Sequence, residues 1–404
     1  MTLSERESKV CTLIARRADA LLDDLRVHVG LPTGGRNTAA LDETRERLVG
    51  RATALGARSE LVPGVARPDW LYGEKPGQAP LPVAVCRRNG AGPTRELLLA
   101  GHLDTVHDPA GPFRSFTVAA DGKTATGPGC VDMKGGLVIA LAALEALDEA
   151  GERLNWTLLL NSDEETGSYH SAPAIGAESA RVAGKNGLGI ALEPATTDGG
   201  LVTQRAGSAQ IMVEVRGKSV HVGRDFASGV SAVVELAALI REIAALDDPA
   251  NSLIVNFGPL QGGIATNVVP DLARAWGNVR FSTPEQWHTL SGRFRSLAGG
   301  RPSGATAVIQ TSVGRPAKPE TPEVLGFARH CRAAAESLGQ GLPFARTAGV
   351  CDGNLMQAAG LPTLDTLGVR GGGLHTPQEW IDLSSLVERC QLLAVVMMRA
   401  SVDR

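Results

Sequence analysis

Short apolar runs alternate with helical stretches through the first half of the chain, and this alternation limits the choice of fold most strongly. Four runs have the length and composition of buried strands: PVAVC (82–86), ELLLAG (96–101), WTLLLN (156–161) and LGIALE (188–193). Residues 135–150 are apolar on nearly every side of a helical projection, so they predict a buried helix. Strands that alternate with helices are typical of an α/β domain built on a mostly parallel sheet.

The pattern changes near Arg205, where SAQIMVEVRGKS alternates like a half-exposed antiparallel strand. A helix, two strands, a second helix and a last strand follow, which is the order of a ferredoxin-like α+β unit. PAKPETPE (316–323) then reads as a Pro-rich linker, and helix and strand signals resume after it. We therefore expect a catalytic domain interrupted by a smaller inserted domain. The predicted limits are residues 1–204 with 316–404 for the first domain, and residues 205–315 for the second.

The composition disfavours several classes of protein. The formal net charge of −3 disfavours a nucleic-acid partner, because phosphate binding needs a basic surface. No apolar run approaches the ~18 residues of a membrane span, so no membrane partner is expected. The N-terminal segment lacks the apolar core of a secretory signal. Six scattered cysteines without a CxxC pair predict reduced, packed thiols in a cytoplasmic protein.

Five groups of acidic and histidine residues follow the predicted strands. They are GHLDTV with His102 and Asp104, GPGCVDMKGG with Asp132, SDEETG with Asp163, Glu164 and Glu165, ALEPA with Glu193, and GGGLHTPQEW with His375. Ligands of open α/β sheets bind at the carboxyl edge of the strands, which is where these groups are expected to meet.

Each group has an ordinary interpretation when it is taken alone: a surface ion pair, a helix-capping aspartate, or a solvated acidic turn. The adjacent carboxylates of residues 163–165 repel one another by roughly 1 kcal/mol per exposed pair. The repulsion is larger at the end of a buried strand unless a cation offsets it. Two imidazoles with three or more carboxylates suit zinc, with cobalt or manganese as substitutes.

In this order, the five motifs resemble those of the dinuclear-zinc peptidase and amidohydrolase family. Its members include glutamate carboxypeptidase, aminoacylase, acetylornithine deacetylase and succinyl-diaminopimelate desuccinylase. The resemblance extends from about residue 95 to about residue 385. It implies two divalent metal ions and an inserted domain that acts as a lid. Such a lid often carries a dimer contact, so a homodimer through this domain is expected.

The resemblance also implies a role for each matched residue. The implied metal ligands are Asp132, which bridges both ions, His102 and Glu193 at one ion, and Glu165 and His375 at the other. Asp104 orients His102. Glu164 is the general base that takes a proton from the attacking water and delivers it to the leaving amine. The Asp132–Met133 peptide bond is expected to be cis.

Three residues of the inserted domain match substrate-handling positions of the family. His221 in GKSVHVG helps to stabilise the oxyanion and is often supplied by the partner subunit. Asn267 in GGIATNVVP contacts substrate, and Arg280 in GNVRF binds a free carboxylate. Without the resemblance, His221 has the ordinary interpretation of a loop histidine and Arg280 that of a solvent-facing strand residue.

Strand alternation gives Arg280 a defined face of its predicted strand. That face also carries Arg274, Trp276 and Asn278. Ala275 and Val279 point to the opposite face. A bidentate contact between Arg280 and a carboxylate would suit an amino-acid product. VCDGN resembles a family loop near the site, so Asp352 and Asn354 are expected to support the site from behind.

Together these observations predict a zinc-dependent carboxypeptidase or N-acyl-amino-acid amidohydrolase. Its substrate would be an N-acyl amino acid or a short peptide with a free carboxylate. Two alternatives stay open: a two-metal hydrolase of an unusual C–N substrate (an aryl amine, ureide or conjugated amide), and a non-catalytic ligand-binding relative. A serine hydrolase is disfavoured because the chain has no GxSxG motif. The sequence does not identify the acyl group.

Overall fold

The computed structural model describes residues 2–73, 79–90 and 94–402. The helices are α1 (Glu5–Ala15), α2 (Ala18–Val29), α3 (Thr38–Ala54), α4 (Gly135–Ala150), α5 (Ala172–Ala183), α6 (Val222–Asp225), α7 (Ala232–Ala244), α8 (Pro284–Leu297), α9 (Pro322–Ser337), α10 (Asp352–Ala358) and α11 (Ser384–Ala400). The strands are β1 (Arg58–Val62), β2 (Val83–Arg88), β3 (Leu97–His102), β4 (Thr117–Val118), β5 (Thr124–Thr126), β6 (Trp156–Asn161), β7 (Leu188–Ala191), β8 (Leu201–Arg205), β9 (Gly207–Arg216), β10 (Ile254–Gly262), β11 (Leu272–Phe281), β12 (Gly299–Gly300), β13 (Thr306–Arg315), β14 (Phe344–Thr347), β15 (Thr363–Leu364), β16 (Gly371–Gly372) and β17 (Trp380–Asp382).

A six-stranded sheet in the order β1-β2-β6-β3-β7-β15 carries the larger part of the fold. The four strands from β6 to β15 are parallel, as the alternation of strands and helices predicts. β2 and β1 instead form an antiparallel edge beside β6. β2 and β3 lie on either side of β6, and the segment 89–96 that joins them is shorter than the dozen or more residues that a crossover between parallel strands needs.

The central strands β3, β6 and β7 are buried along their whole length because both faces of the sheet are covered there. Leu97, Leu99 and Trp156 pack into the core under α1, α4 and α11. Leu98 and Leu159 point the other way and pack against α5 and α10. Successive side chains of a strand point to opposite faces, so a sheet covered on both sides needs unbroken apolar runs. The predicted helix over residues 135–150 is α4, and most of its residues are buried.

A second sheet, in the order β10-β11-β9-β13-β12, is antiparallel throughout. Its elements follow the chain as β9, α7, β10, β11, α8 and β13, which is the predicted order of strands and helices. α8 begins with a capping box between Thr283 and Gln286, which ends the preceding strand sharply. Val213, Leu236 and Phe281 belong to a separate core between this sheet and its helices. The limits 1–204 with 316–404, and 205–315, stay predictions.

The chain enters and leaves the second sheet through two adjacent segments. The backbones of Arg205 and Lys318 exchange two hydrogen bonds of 3.0 Å. Their side chains approach the buried Asp365 carboxylate at 2.8 Å and 3.3 Å. Burial alone would raise the pKa of Asp365, but the two cations hold the pKa below its ordinary value. The two connections are therefore held side by side by backbone hydrogen bonds and by buried charge.

All six cysteines are free and buried, in agreement with the packing role expected of them. Burial raises the pKa of each of the Cys130 and Cys351 thiols, which disfavours the reactive thiolate. Among the described residues, no helix combines the length and apolar character that a membrane crossing requires.

Candidate metal centre

The parallel strands bring three of the five motifs to one edge of the six-stranded sheet. His102 is the last residue of β3 and lies opposite Asn161, the last residue of β6. The turn that holds Glu164 and Glu165 follows β6, and Glu193 follows β7. Strands that run in parallel end at the same side, so residues far apart in sequence meet there.

Asp132 lies at the centre of this group. One of its oxygens, Oδ1, is 3.3 Å from Nε2 of His102, and the other, Oδ2, is 3.4 Å from Nε2 of His375. His375 is also 3.2 Å from Oε2 of Glu165. The ligand atoms of His102, Asp132 and Glu165 all lie within 4.8 Å of one another. The two oxygens of one carboxylate thus face two different imidazoles.

Glu193 is buried beside the same group. Burial raises its pKa well above the ordinary value, and the negative charges of Asp132 and Glu164 raise that pKa further. Burial also raises the pKa of Glu165. Hydrogen bonds that the His375 ring donates to the Asp132 and Glu165 carboxylates raise the pKa of His375 to about 10.

This donor set fits divalent cations. Several carboxylates are crowded in a mostly buried space, where unpaired negative charge is costly unless a cation compensates it. Neutral imidazole nitrogens and carboxylate oxygens are the ligands that zinc takes in enzymes. The residues that the sequence predicts as ligands therefore have the right chemistry and lie together.

Asp104 contacts both His102 and the turn that holds the two glutamates. The Nδ1 atom of His102 lies 2.9 Å from the backbone carbonyl of Asp104 and 3.6 Å from its carboxylate. The carboxylate also accepts hydrogen bonds from the backbone N–H groups of Glu164, at 3.2 Å, and Glu165, at 3.0 Å. The carbonyl fixes the His102 ring with Nε2 toward Asp132, and the carboxylate fixes the turn with the two glutamates.

Glu164 is held by an arginine that the sequence analysis did not select. The guanidinium of Arg315, the last residue of β13, lies 2.9 Å from Oε1 of Glu164 and 3.1 Å from Asp352. It also donates to the Ser168 hydroxyl at 2.7 Å. Burial raises the pKa of Glu164 to about 7 despite this cation. Asp352, which is expected to support the site, contacts Arg315 and accepts a 2.8 Å hydrogen bond from the Asn161 side chain.

Glu379 is a second residue that the sequence analysis missed. Its buried carboxylate accepts hydrogen bonds from the backbone N–H groups of Gly129, Val131 and Asp132, at 2.8, 2.9 and 3.1 Å. It is also 2.6 Å from Nε2 of His107. These contacts shape the loop that carries Asp132, where the Asp132–Met133 bond is cis as expected. The only sequence signal is that Glu379 follows His375 by four residues within the motif GGGLHTPQEW.

His221 and Asn267 lie together but apart from the metal centre. The backbone N–H of Val222 donates to the Asn267 carbonyl at 3.0 Å, and the His221 ring accepts from the Gly223 N–H at 3.1 Å. Both side chains are exposed. Within the described part of the chain, neither has a hydrogen bond or an ion pair to the acidic cluster.

Arg280 occupies the face of β11 that alternation predicts. Ala275 and Val279 are buried in the core of the second sheet, whereas the Trp276 indole donates to the Trp70 carbonyl at 2.7 Å. The Arg280 Nε donates to the Asn278 side chain at 2.9 Å. Across residues 2–73, 79–90 and 94–402, Arg280 forms no ion pair with a carboxylate. Arg280 is half-buried.

We expect Glu379→Gln to weaken metal binding by about 10- to 100-fold, because a carboxamide cannot accept the same set of hydrogen bonds from the Asp132 loop. Metal content after dialysis against a dilute chelator measures the effect. Gln378→Glu changes the exposed neighbouring residue and is the matched control. Equal metal retention in the two variants would contradict the role of Glu379.

Comparison with known proteins agrees with this geometry. The model of Peptidase family M20/M25/M40 matches residues 98–399. Carboxypeptidase G2 of Pseudomonas sp. (strain RS-16) is 30% identical over 321 residues, which cover 75% of this chain and 74% of that protein.

Solved structures share the fold. A tripeptidase of Staphylococcus aureus superposes with a TM-score of 0.74 at 20% identity and covers 95% of this chain and 98% of its own. The YxeP protein of Bacillus subtilis, described as a dinuclear metal-binding peptidase, has a TM-score of 0.65 at 15% identity. That match covers 96% of this chain and 99% of the YxeP chain. The family match spans most of the chain and includes all five motifs, so the chain belongs to peptidase family M20/M25/M40, a family of metallopeptidase-type hydrolases.

Proposed function

We propose that this chain is a metal-dependent carboxypeptidase or deacylase that hydrolyses the amide bond of an N-acyl amino acid or the C-terminal peptide bond of a short peptide. The observation that carries the proposal is the position of Asp132 between two imidazoles, with Glu164 beside them. The similarity to carboxypeptidase G2 supports the choice of a carboxyl-terminal substrate.

Two divalent cations would be held by the clustered residues, with zinc as the first choice and cobalt or manganese as substitutes. Asp132 would bind both ions through its two oxygens. His102 and Glu193 would complete one site, and Glu165 and His375 the other. When bound, the cations supply Lewis acidity, which activates water and polarises a carbonyl.

Glu164 would act as the general base. Its carboxylate takes a proton from the attacking water while the new C–O bond forms, and it passes that proton to the amine nitrogen as the C–N bond breaks. The Arg315 guanidinium fixes Oε1 of Glu164 at 2.9 Å. The Asp104 carboxylate fixes the backbone of the same turn. These two contacts limit the positions that the base can take, which reduces the cost of reaching the reactive geometry.

Arg280 would bind the free carboxylate of the substrate. Its guanidinium has the fork geometry that matches a carboxylate with two hydrogen bonds. The adjacent Asn278 side chain accepts a 2.9 Å hydrogen bond from Nε, and within the described residues Asn278 is the side-chain partner of this guanidinium. This assignment favours substrates with a free α-carboxylate over unusual C–N compounds.

A homodimer would complete the site. His221 and Asn267 are exposed, and in the part of the chain described here they do not bond to the acidic cluster. We propose that a partner subunit supplies them, with His221 stabilising the oxyanion. The edge strand β10 and helix α7 expose Ile254, Val233 and Val234, whose apolar side chains suit a subunit contact. Sedimentation of the purified chain distinguishes a dimer from a monomer.

The cytoplasmic location stays a prediction.

The variant Glu164→Gln separates the roles of the two adjacent glutamates. We expect its kcat to fall by about 10²- to 10⁴-fold, because the amide cannot accept the proton. Metal content should stay near two ions per chain, since Glu164 is not assigned as a ligand. Loss of metal with the loss of activity would show that Glu164 and Glu165 have been assigned the wrong way round.

The variant Arg280→Ala tests the binding of the substrate carboxylate. We expect KM to rise by about 10- to 100-fold for N-acyl amino acids, because a charge-assisted contact is lost. Hydrolysis of the matching α-amides should change little. If KM rises equally for the N-acyl amino acids and for their α-amides, Arg280 does not bind the carboxylate.

A further inference from the structure

A cavity of about 330 Å³ lies between the larger domain and the second sheet, next to the metal centre. We call it the aromatic cavity. Its walls include the following residues: Arg67, Tyr72, Thr166, Tyr169, Trp276 and Asn278. Apart from Thr166, which belongs to SDEETG, and Asn278, which contacts Arg280, these wall residues have no part in the five motifs or the proposed mechanism.

Aromatic side chains are concentrated at the cavity. The chain of 404 residues contains only two tyrosines and five tryptophans, yet both tyrosines and one tryptophan line this space. The rings of Tyr72 and Trp276 meet edge to face, with centroids 5.4 Å apart. The Arg67 guanidinium lies 5.2 Å from the centre of the Tyr169 ring. Aromatic residues make up 4% of the chain, so their density here is unusual for this protein.

A hydrogen bond holds the Trp276 side of the cavity in place. The Trp276 indole donates a 2.7 Å hydrogen bond to the Trp70 carbonyl, and this contact sets the plane of the ring. Fixed rings bind a flat partner without a further loss of side-chain freedom. The edge-to-face arrangement of Tyr72 and Trp276 leaves ring surface available toward the cavity.

The cavity adjoins both the acidic cluster and Arg280, so it lies where the side chain of the released amino acid would be. Thr166 directly follows Glu165, so one end of the cavity adjoins the acidic cluster. Asn278 accepts the Nε hydrogen of Arg280, so another side adjoins the guanidinium that is proposed to hold the carboxylate. A residue whose α-carboxylate is held by Arg280, and whose amide nitrogen lies near the cluster, therefore carries its side chain beside the cavity.

We propose that the aromatic cavity binds an aromatic side chain on the amino-acid residue that hydrolysis releases, so that the preferred substrates are N-acyl aromatic amino acids or peptides that end in an aromatic residue. Ring-to-ring contacts with Tyr72, Tyr169 and Trp276 supply the recognition. The inference rests on the proposed function, because it uses the carboxylate position at Arg280.

The test compares N-acetyl amino acids that share one acyl group and differ only in the side chain. We expect kcat/KM for the phenylalanine, tyrosine and tryptophan compounds to exceed that for the alanine and leucine compounds by at least about tenfold. The variant Tyr72→Ala should reduce the ratio of kcat/KM for phenylalanine over alanine by about tenfold. Tyr72 is 58% exposed, so its removal is not expected to unfold the chain.

Leu61→Ala provides the matched control, since Leu61 is 59% exposed on the same domain and does not line the cavity. It should leave the phenylalanine-to-alanine ratio unchanged. Hydrolysis of the whole panel without an aromatic preference, or an unchanged ratio in Tyr72→Ala, would overturn the cavity assignment and leave the proposed function intact.

A second measurement distinguishes a failure of the proposed function from a failure of the cavity assignment. If the zinc-loaded protein hydrolyses no member of the panel, the proposed function fails. Calorimetric titration with N-acetylphenylalanine and N-acetylalanine then tests the cavity directly. Tighter binding of the phenylalanine compound, lost in Tyr72→Ala, supports an aromatic site. Equal or absent binding of both compounds overturns it.

Discussion

The rest of the site depends on the Asp132 carboxylate, whose two oxygens face two imidazoles at 3.3 and 3.4 Å. The loop around Asp132 places its carboxylate between these two imidazoles, which is where two cations would share it. Glu379 holds this loop through three backbone N–H groups. A buried carboxylate that itself binds no substrate thus fixes the one that is proposed to bridge two ions.

The other carboxylates of the cluster concentrate negative charge in a buried space, and this charge needs compensation by cations. Glu164 and Glu165 follow β6 and Glu193 follows β7, on either side of β3, where burial and the negative charge of nearby carboxylates raise the pKa of each. A positively charged side chain offsets part of this negative charge, because Arg315 pairs with Glu164 and Asp352. The remaining charge is what two divalent ions would compensate. Arg315 ends β13, so the strand that leaves the second sheet also holds the proposed base.

Much of this arrangement can be predicted from the sequence because it is local. Unbroken apolar runs indicate strands that are covered on both faces, and the three runs that form β3, β6 and β7 are followed by the polar residues that meet at one edge. The alternation in β11 correctly separates Arg280 from Val279. The order of strands and helices in the second sheet can be predicted for the same reason, since it depends on periodicity within short segments.

The remainder depends on contacts between distant segments. The 2.6 Å contact between His107 and Glu379 joins residues that are 272 positions apart in the sequence. The Asp104 carbonyl contacts His102, and the Asp104 carboxylate contacts the turn of the glutamates. The sequence does not distinguish these two contacts. The antiparallel edge of the larger sheet follows from a short connection, which the strand signals alone did not indicate. The aromatic cavity likewise joins residues from both domains, so no single segment predicts it.

The central claim is that the clustered residues bind two catalytic divalent cations, and elemental analysis of the purified chain tests it most directly. The account predicts close to two ions per chain. It also predicts that chelation abolishes hydrolysis of N-acyl amino acids and that zinc or cobalt restores it. A chain that retains no metal after zinc is added back, or that hydrolyses these substrates equally well without metal, would contradict it.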